Sequence, residues 1–254
     1  MATTPAADQL PALYKTLRPL SREQHRDWRV RSSATRPWLV GQHALPLTVD
    51  EFTAAQRDLP IVFAVGEDNT PLALMGLRAG VNTFVNADGT LVDEGSYLPA
   101  YAKRYPFALA RSGSDEETLT LCLDVESDRV GAFDDGEPLF EGDGLSATGQ
   151  SLLAYAEEFD RAGRRTLAFV EELRRHDLLT DGEITITPKG GGAPFIYRGF
   201  RIVDTKRLHA LPADVTSAML ASGTLALIFA HLFSLGLLRD LFERQVAQGD
   251  AAAT

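Results

Sequence analysis

The fold of this chain follows from the stretch Leu59-Pro-Ile-Val-Phe-Ala-Val65, Gly66-Glu-Asp-Asn-Thr-Pro71, Leu72-Ala-Leu-Met-Gly-Leu77. Its two outer parts are short apolar runs, and its centre is rich in turn-forming residues, so the pattern predicts a β-hairpin. A parallel crossover needs a dozen or more residues, which makes antiparallel pairing the only arrangement that so short a connection allows.

Further strands are predicted downstream of this hairpin. Thr83-Phe-Val85 precedes Asn86-Ala-Asp-Gly89, a strong turn signal. The runs 107–110 and 119–124 are placed to pair with each other. Short strands with tight connections over 59–125 therefore predict an antiparallel sheet in the N-terminal half.

Helices are predicted on both sides of this β region. They cover 8–18, 48–57 behind the capping box Thr48-Val-Asp-Glu51, 151–179, 204–208 and 212–242, with a strand pair at 183–187 and 195–203. The class is therefore α+β, with helices and a short strand pair in the C-terminal half and a long buried apolar helix at the C-terminus. We predict a single domain over 1–254, with a sub-boundary near the acidic, glycine-rich segment 131–150.

Composition excludes some classes of function. The 254 residues carry 35 acidic and 25 basic side chains, and the net charge of −10 argues against a protein that binds nucleic acid through phosphates. The lone cysteine, Cys122, forms no internal disulfide, and its alternating surroundings suggest a small buried hydrophobic residue. The N-terminal residues do not read as a secretory signal. We therefore expect a cytoplasmic protein, with a peripheral membrane location as the alternative.

The most unusual segment is Tyr97-Leu-Pro-Ala-Tyr-Ala-Lys-Arg-Tyr-Pro-Phe-Ala-Leu109. Its rings combine a large apolar area with a polar edge, and arginine offers a planar fork of donors. One interpretation is a structural corner, with Lys103 and Arg104 extending to water. The other is a binding site in which Tyr97, Tyr101, Arg104 and Tyr105 surround an anionic or aromatic ligand, or a partner. The sequence leaves both open.

Other motifs give no named chemistry. The lysine precedes the glycines at 190–192, the reverse of a phosphate-binding loop, and the dinucleotide and hydrolase glycine motifs are absent. The acidic loop 134–143 lacks the order of a calcium-binding loop. The histidines show no metal-ligand spacing; they are His25, His43, His176, His209 and His231. We predict no metal site and name no cofactor.

The apolar segment 218–238 allows two interpretations. Its 21 uncharged residues are enough to span a bilayer, but a helix apolar on all sides is equally typical of a protein core, and we favour burial. His231 lies within it. A lone histidine there is either a hydrogen-bonded core residue or a site residue that titrates near neutral pH.

Several of these segments together resemble the SapC family of bacterial proteins. The residues that carry the resemblance are Leu13-Tyr-Lys15, Pro19-Leu-Ser21 with His25, Glu51-Phe52, Pro60-Ile-Val-Phe63, Asn82 and Phe84, Asp88-Gly89, Tyr97-Leu-Pro-Ala-Tyr101, Arg104-Tyr-Pro-Phe107, Leu121-Cys-Leu-Asp124, Leu139-Phe140 with Gly142, Gly199-Phe200 with Leu208, and Ala230-His-Leu232 with Ser234. The tyrosine-proline stretch is the most specific of them. Family members often carry a tryptophan after the Asp-Gly turn, where Leu91 and Val92 stand here.

The resemblance implies an accessory protein without an established reaction. The family name comes from a bacterial surface-layer locus, and members are associated with genes for outer-membrane receptors and flavin-dependent halogenase-like enzymes. The peptide-transporter permease of the same name is a different protein, because it needs several membrane spans.

Three expectations follow. The first is an accessory protein that holds a small ligand or protein partner with Tyr97, Tyr101, Arg104, Tyr105, His25 and His231. The second is an enzyme whose acid-base site forms around His231 and the Tyr97–Phe107 stretch. The third is a peripheral or single-span surface-layer component that uses 218–238. The oligomeric state stays open.

Overall fold

The computed structural model of the chain describes residues 10–111, 119–187 and 194–249. In chain order its strands are β1 (Leu17–Pro19), β2 (Arg29–Val30), β3 (Ala44–Pro46), β4 (Ile61–Ala64), β5 (Pro71–Leu74), β6 (Phe107–Arg111), β7 (Leu119–Asp124), β8 (Val130–Gly131), β9 (Glu137–Pro138), β10 (Phe140–Glu141), β11 (Gly144–Leu145), β12 (Leu179–Ile186) and β13 (Phe195–Val203). Its α-helices are α1 (Arg22–His25), α2 (Phe52–Ala55), α3 (Ala100–Lys103), α4 (Ala147–Arg175), α5 (Thr205–His209), α6 (Ala213–Ser222), α7 (Thr224–Ser234) and α8 (Leu237–Ala247).

The chain forms two compact units, each made of two separate stretches of sequence. Unit 1 comprises Met1–Arg36 and Tyr101–Arg161, and unit 2 comprises Pro37–Ala100 and Ala162–Thr254. Both contain antiparallel sheets together with helices, so the α+β class is confirmed. The segment 131–150 lies within unit 1, and the single domain stays a prediction.

Unit 1 is built on small antiparallel sheets. One has the strand order β1-β7-β6, a second has the order β8-β2-β9, and β10 pairs with β11. The predicted pairing of 107–110 with 119–124 is confirmed, with Phe107 opposite Leu123. Apolar side chains from these strands and from α4 form the core, namely Phe107, Leu121, Leu123, Val130, Leu139 and Ala156.

The predicted helix over 8–18 is wrong for the part that the structure describes. Leu13 has a φ of 77°, which a right-handed helix does not allow, and β1 follows at Leu17. The backbone N–H groups of Lys15 and Thr16 donate instead to the carboxylate of Asp124 at 2.8 and 3.0 Å. A side chain more than a hundred positions away therefore overrides the local apolar periodicity.

Unit 2 contains a five-stranded sheet with the order β12-β13-β4-β5-β3. The hairpin predicted from 59–77 is confirmed, because β4 and β5 pair antiparallel with Val62 opposite Leu72. The strands predicted over 59–125 thus belong to sheets in both units. The segment 83–85 contributes a single bridge, Val85 to Leu91, and no strand.

The C-terminal helical stretch is present but divided. Gly223, with a φ of 85°, separates α6 from α7 because this backbone conformation ends a right-handed helix. On α7, the side chains of Ile228, His231 and Ser234 are buried. The opposite side exposes apolar groups, with Phe233 71% exposed, so the expected burial holds for one side only.

Candidate functional site

Three aromatic rings of unit 1 surround one cation, Arg104. The rings are those of Tyr14, Tyr101 and Phe159, and the four side chains are here called the arginine cluster. The guanidinium carbon of Arg104 lies 4.3 Å from the ring centroid of Tyr101 and 4.3 Å from that of Phe159. The Tyr14 centroid is 5.5 Å away. Tyr101 lies in α3, and Arg104 directly follows the end of this helix. Because the two residues are three positions apart, their side chains extend to the same side. Phe159 comes from α4.

The charge of Arg104 is surrounded by rings and not by acids. Its Nε is buried and has no hydrogen-bond partner, and within the described ranges Arg104 makes no ion pair. The residue as a whole is half-buried. Ring faces attract a cation, but they do not accept its N–H groups as a carboxylate does. No carboxylate among the described residues therefore matches the charge of Arg104.

The neighbouring phenols do not supply that anion. Burial raises the pKa of Tyr14 far above its ordinary value, although Arg104 opposes the shift. Burial likewise raises the pKa of Tyr101, again against the influence of Arg104. Both hydroxyl groups are therefore protonated at neutral pH, and neither phenol offsets the charge of the guanidinium.

The hydroxyl groups of these tyrosines are used within the protein. Tyr14 donates to the carbonyl of Phe107 at 2.7 Å, and Tyr101 donates to the carbonyl of Ala12 at 2.8 Å. These bonds hold the two rings in fixed directions. The rings thus act as walls beside Arg104, while their polar ends stabilise unit 1.

Tyr105 lies next to the arginine cluster, and its hydroxyl bonds to a carboxylate instead of a backbone carbonyl. Its ring centroid is 5.4 Å from that of Tyr14, and its hydroxyl lies 3.4 Å from Asp124 Oδ2. Asp124 is fully buried and is satisfied mainly by backbone N–H groups. No local pattern indicates this role, because Asp124 ends an ordinary alternating strand.

Tyr97 belongs to unit 2 and to another network. Its hydroxyl donates to Glu51 Oε1 at 3.0 Å, and its backbone N–H donates to Asp58 at 2.8 Å. Glu51 also closes the predicted capping box, accepting from the backbone N–H of Thr48 at 2.9 Å. Glu51 was predicted only as a helix cap, yet its buried carboxylate also fixes the start of the tyrosine-proline stretch through Ala100 N–H at 2.6 Å.

His25 lies in unit 1, at the end of α1. The residue is buried, its Nδ1 is 3.1 Å from both the backbone nitrogen and the carbonyl of Ser21, and its ring contacts Trp28 edge-on at 4.6 Å. Burial lowers the pKa of His25. These contacts make His25 part of the hydrogen-bonded N-terminus of α1, where Ser21 is the N-cap residue.

His231 lies in unit 2 and is fully buried. Its Nδ1 is 2.8 Å from the carbonyl of Ile61, and its Nε2 accepts from the backbone N–H of Val203 at 3.1 Å. Burial lowers the pKa of His231 to about 4. The neutral imidazole thus links α7 to β4 and β13, and both ring nitrogens are occupied by backbone groups.

The remaining sequence features are the candidate metal ligands, the acidic loop, Cys122 and the glycine loop. Among the described residues, no group of three or more His, Cys, Asp or Glu is placed to hold a metal ion. In the acidic loop, Asp135 pairs with Arg31 and Asp143 pairs with Arg22. Cys122 is buried, and burial raises its pKa to about 11. The glycines at 190–192 lie outside the described residues.

An apolar surface lies on α6 and α7 of unit 2. Leu220 and Phe233 are each 71% exposed, and Phe229 stacks on Phe233 with 5.9 Å between centroids. The helical stretch Thr224–Ala247 is long and apolar enough to cross a membrane, although the core helix of a globular protein can have the same length and composition. We call Leu220, Phe229 and Phe233 the apolar face.

The fold and the arginine cluster define an α+β protein with a cation held among aromatic rings. A family model described as SapC matches residues 20–241. The chain therefore belongs to the SapC family. Comparisons with curated proteins and with solved structures gave no match.

Proposed function

We propose that this SapC protein is an accessory binding protein whose arginine cluster captures an acidic group of a small ligand or a protein partner. One observation carries the proposal: the guanidinium carbon of Arg104 lies 4.3 Å from the ring centroids of both Tyr101 and Phe159, and Arg104 has no carboxylate partner within the described residues. A guanidinium pairs most strongly with a carboxylate or phosphate, because its parallel N–H groups match their geometry.

The proposal uses the predicted residues in two ways. Tyr101 and Arg104 contact the bound group, with the Phe159 ring beside that of Tyr101. Tyr105 and His25 support unit 1 through bonds to other parts of the protein. Tyr97 and His231 have equivalent supporting roles in unit 2.

The identity of the partner is proposed from the family resemblance. We propose a role beside surface-layer components, outer-membrane receptors or halogenase-like enzymes, with this chain as the accessory subunit. Mixing the purified protein with the products of neighbouring genes, followed by size-exclusion chromatography, tests this role. Co-elution that Arg104→Ala abolishes is the expected result.

Binding of an acidic group is tested directly on the Arg104 side chain. Its Nε–H signal in a nitrogen-15 NMR spectrum is expected to move on titration with acetate or succinate, and Arg104→Ala removes that signal. Lys103→Ala is the matched control, since it removes a neighbouring exposed charge and leaves the cluster intact. An Nε–H signal unchanged by acetate, succinate and phosphate would contradict the proposal.

The apolar face supports a second candidate, peripheral contact with a membrane. Exposed phenylalanine and leucine side chains on a helix are typical of segments that lie in the membrane interface. Sedimentation with phosphatidylcholine vesicles tests this role, and Phe233→Ser is expected to reduce the bound fraction. Ile196→Ser is the control, because Ile196 is an exposed apolar residue on β13. Equal binding by both variants would exclude the apolar face.

The enzyme alternative gains no support from the geometry around His231. A general base needs a nitrogen that reaches the substrate, and both ring nitrogens of His231 bond to backbone groups in the core. We therefore do not propose an acid-base role for this residue.

A further inference from the structure

A surface cavity of about 250 Å³ lies in unit 2, and none of its lining residues belongs to the arginine cluster. Its lining comes from the turn between β4 and β5, from the end of α4, from the segment after α4, from the first residue of β12, and from β13. The lining residues are Gly66, Glu67, Asn69, Arg174, Asp177, Leu179 and Arg201. One water occupies about 30 Å³ of liquid volume, so the cavity has room for a molecule of amino-acid size.

Two arginines give this cavity a positive character. The side chain of Arg174 makes no ion pair or hydrogen bond with the residues that the structure describes. Arg201 has a loose pair with Asp181, with 3.6 Å between Nε and Oδ1, and the Asp181 side chain is almost fully exposed. Pairs of that kind contribute little, because water screens them. Both guanidinium groups are therefore available to an anion.

The acidic lining residues differ in their availability. Asp177 is already paired, since Arg207 Nη1 donates to its Oδ2 at 2.7 Å and to its carbonyl at 2.8 Å. Glu67 is exposed and has no partner among the described residues. The lining thus presents two available cations and one available carboxylate.

The turn that carries Glu67 is held in place by its own hydrogen bonds. The buried Asn69 donates through Nδ2 to the carbonyls of Ala64 and Gly66, at 3.1 and 2.9 Å. The backbone N–H of Ala64 donates to Thr70 at 2.9 Å. Glu67 therefore stands on an ordered wall, which lowers the entropy cost of binding.

We propose that this cavity binds a free acidic amino acid. Its carboxylates pair with Arg174 and Arg201, and its ammonium group faces Glu67. The charges match, because two cations and one carboxylate on the protein complement two carboxylates and one ammonium on the ligand.

Calorimetric titration with L-glutamate tests the arginines. Arg174→Ala is expected to weaken binding by about tenfold, the loss of one charge-assisted pair. Arg175→Ala is the matched control, since Arg175 is the next residue of α4, is exposed and does not line the cavity. Absence of saturable binding to the wild-type protein, or an equal loss in both variants, would overturn the proposal.

Glutarate tests the amine, because it has the carbon skeleton of glutamate and lacks the ammonium group. Glu67→Gln is expected to weaken L-glutamate binding and to leave glutarate binding unchanged, while Asp68→Asn changes neither. Equal affinity of the wild-type protein for both compounds would exclude an amino acid as the ligand. Arg104→Ala is expected to retain L-glutamate binding, so this test and that of the arginine cluster fail independently.

Discussion

The arginine cluster of unit 1 and the His231 site of unit 2 both place one nitrogen-bearing side chain against aromatic side chains, three at Arg104 and Phe63 at His231. At His231, the ring lies 4.9 Å from Phe63, and backbone groups occupy both nitrogens. At Arg104, two rings lie at 4.3 Å, yet Nε has no hydrogen-bond partner in the part of the chain that the structure describes. A buried polar group whose bonds are all made is typical of structure. The Arg104 guanidinium has no carboxylate partner among the described residues, and that unmatched charge is what the proposed binding role uses. Substitutions that affect stability at one site and binding at the other test this difference.

The largest effect is expected from His231→Ala. The change leaves the Ile61 carbonyl and the Val203 N–H without partners and opens a cavity, so the free energy of unfolding should fall by about 3–5 kcal/mol. Urea denaturation measures this loss. His209→Ala is the control, because His209 is exposed on α5 and its removal should change stability by less than about 0.5 kcal/mol. A loss below about 1 kcal/mol at His231 would show that its backbone bonds are dispensable.

The pH dependence of stability sharpens the same comparison. The folded pKa of His231 is about 4, below the ordinary 6.5, so the unfolded chain binds the extra proton first as the pH falls. The contribution of His231 to stability is complete above pH 6.5 and decreases as the pH falls towards 4, by about 3 kcal/mol in total. His231→Phe lacks this titration. The stability gap between wild type and His231→Phe, measured in urea at pH 7, 6 and 5, should therefore narrow with acidification; a constant gap would contradict the assignment.

The smallest effect on stability is expected from Arg104→Ala. The change removes contacts between a cation and two rings, worth about 1 kcal/mol, and leaves no buried acid unpaired. The melting temperature should therefore change little, while capture of a partner is lost. Arg104→Lys keeps the charge without the fork of donors and should restore capture only in part. A loss of several kcal/mol in Arg104→Ala would favour the structural corner over the binding site.

Much of the fold was predictable because its signals are local. The hairpin of β4 and β5, the pairing of β6 with β7, and the capping box at Thr48 each depend on residues close together in sequence. The helix predicted over 8–18 failed because the Asp124 carboxylate competes for its N–H groups from a distant strand. The candidate site was predictable in part. Arg104 and Tyr101 stand three positions apart, but no pattern indicated Phe159.

The sequence by itself determined the α+β class, the antiparallel hairpins and the resemblance to SapC proteins, because turn residues, alternation and a specific tyrosine-proline stretch act over a few positions. Tertiary structure alone decided which polar groups are satisfied. The tyrosine hydroxyls of the stretch bond to Glu51, Ala12 and Asp124, between 19 and 89 positions away. Nε of Arg104 has no acceptor among the described residues. Such long-range contacts depend on how distant segments pack, and that packing leaves no local signature in the sequence.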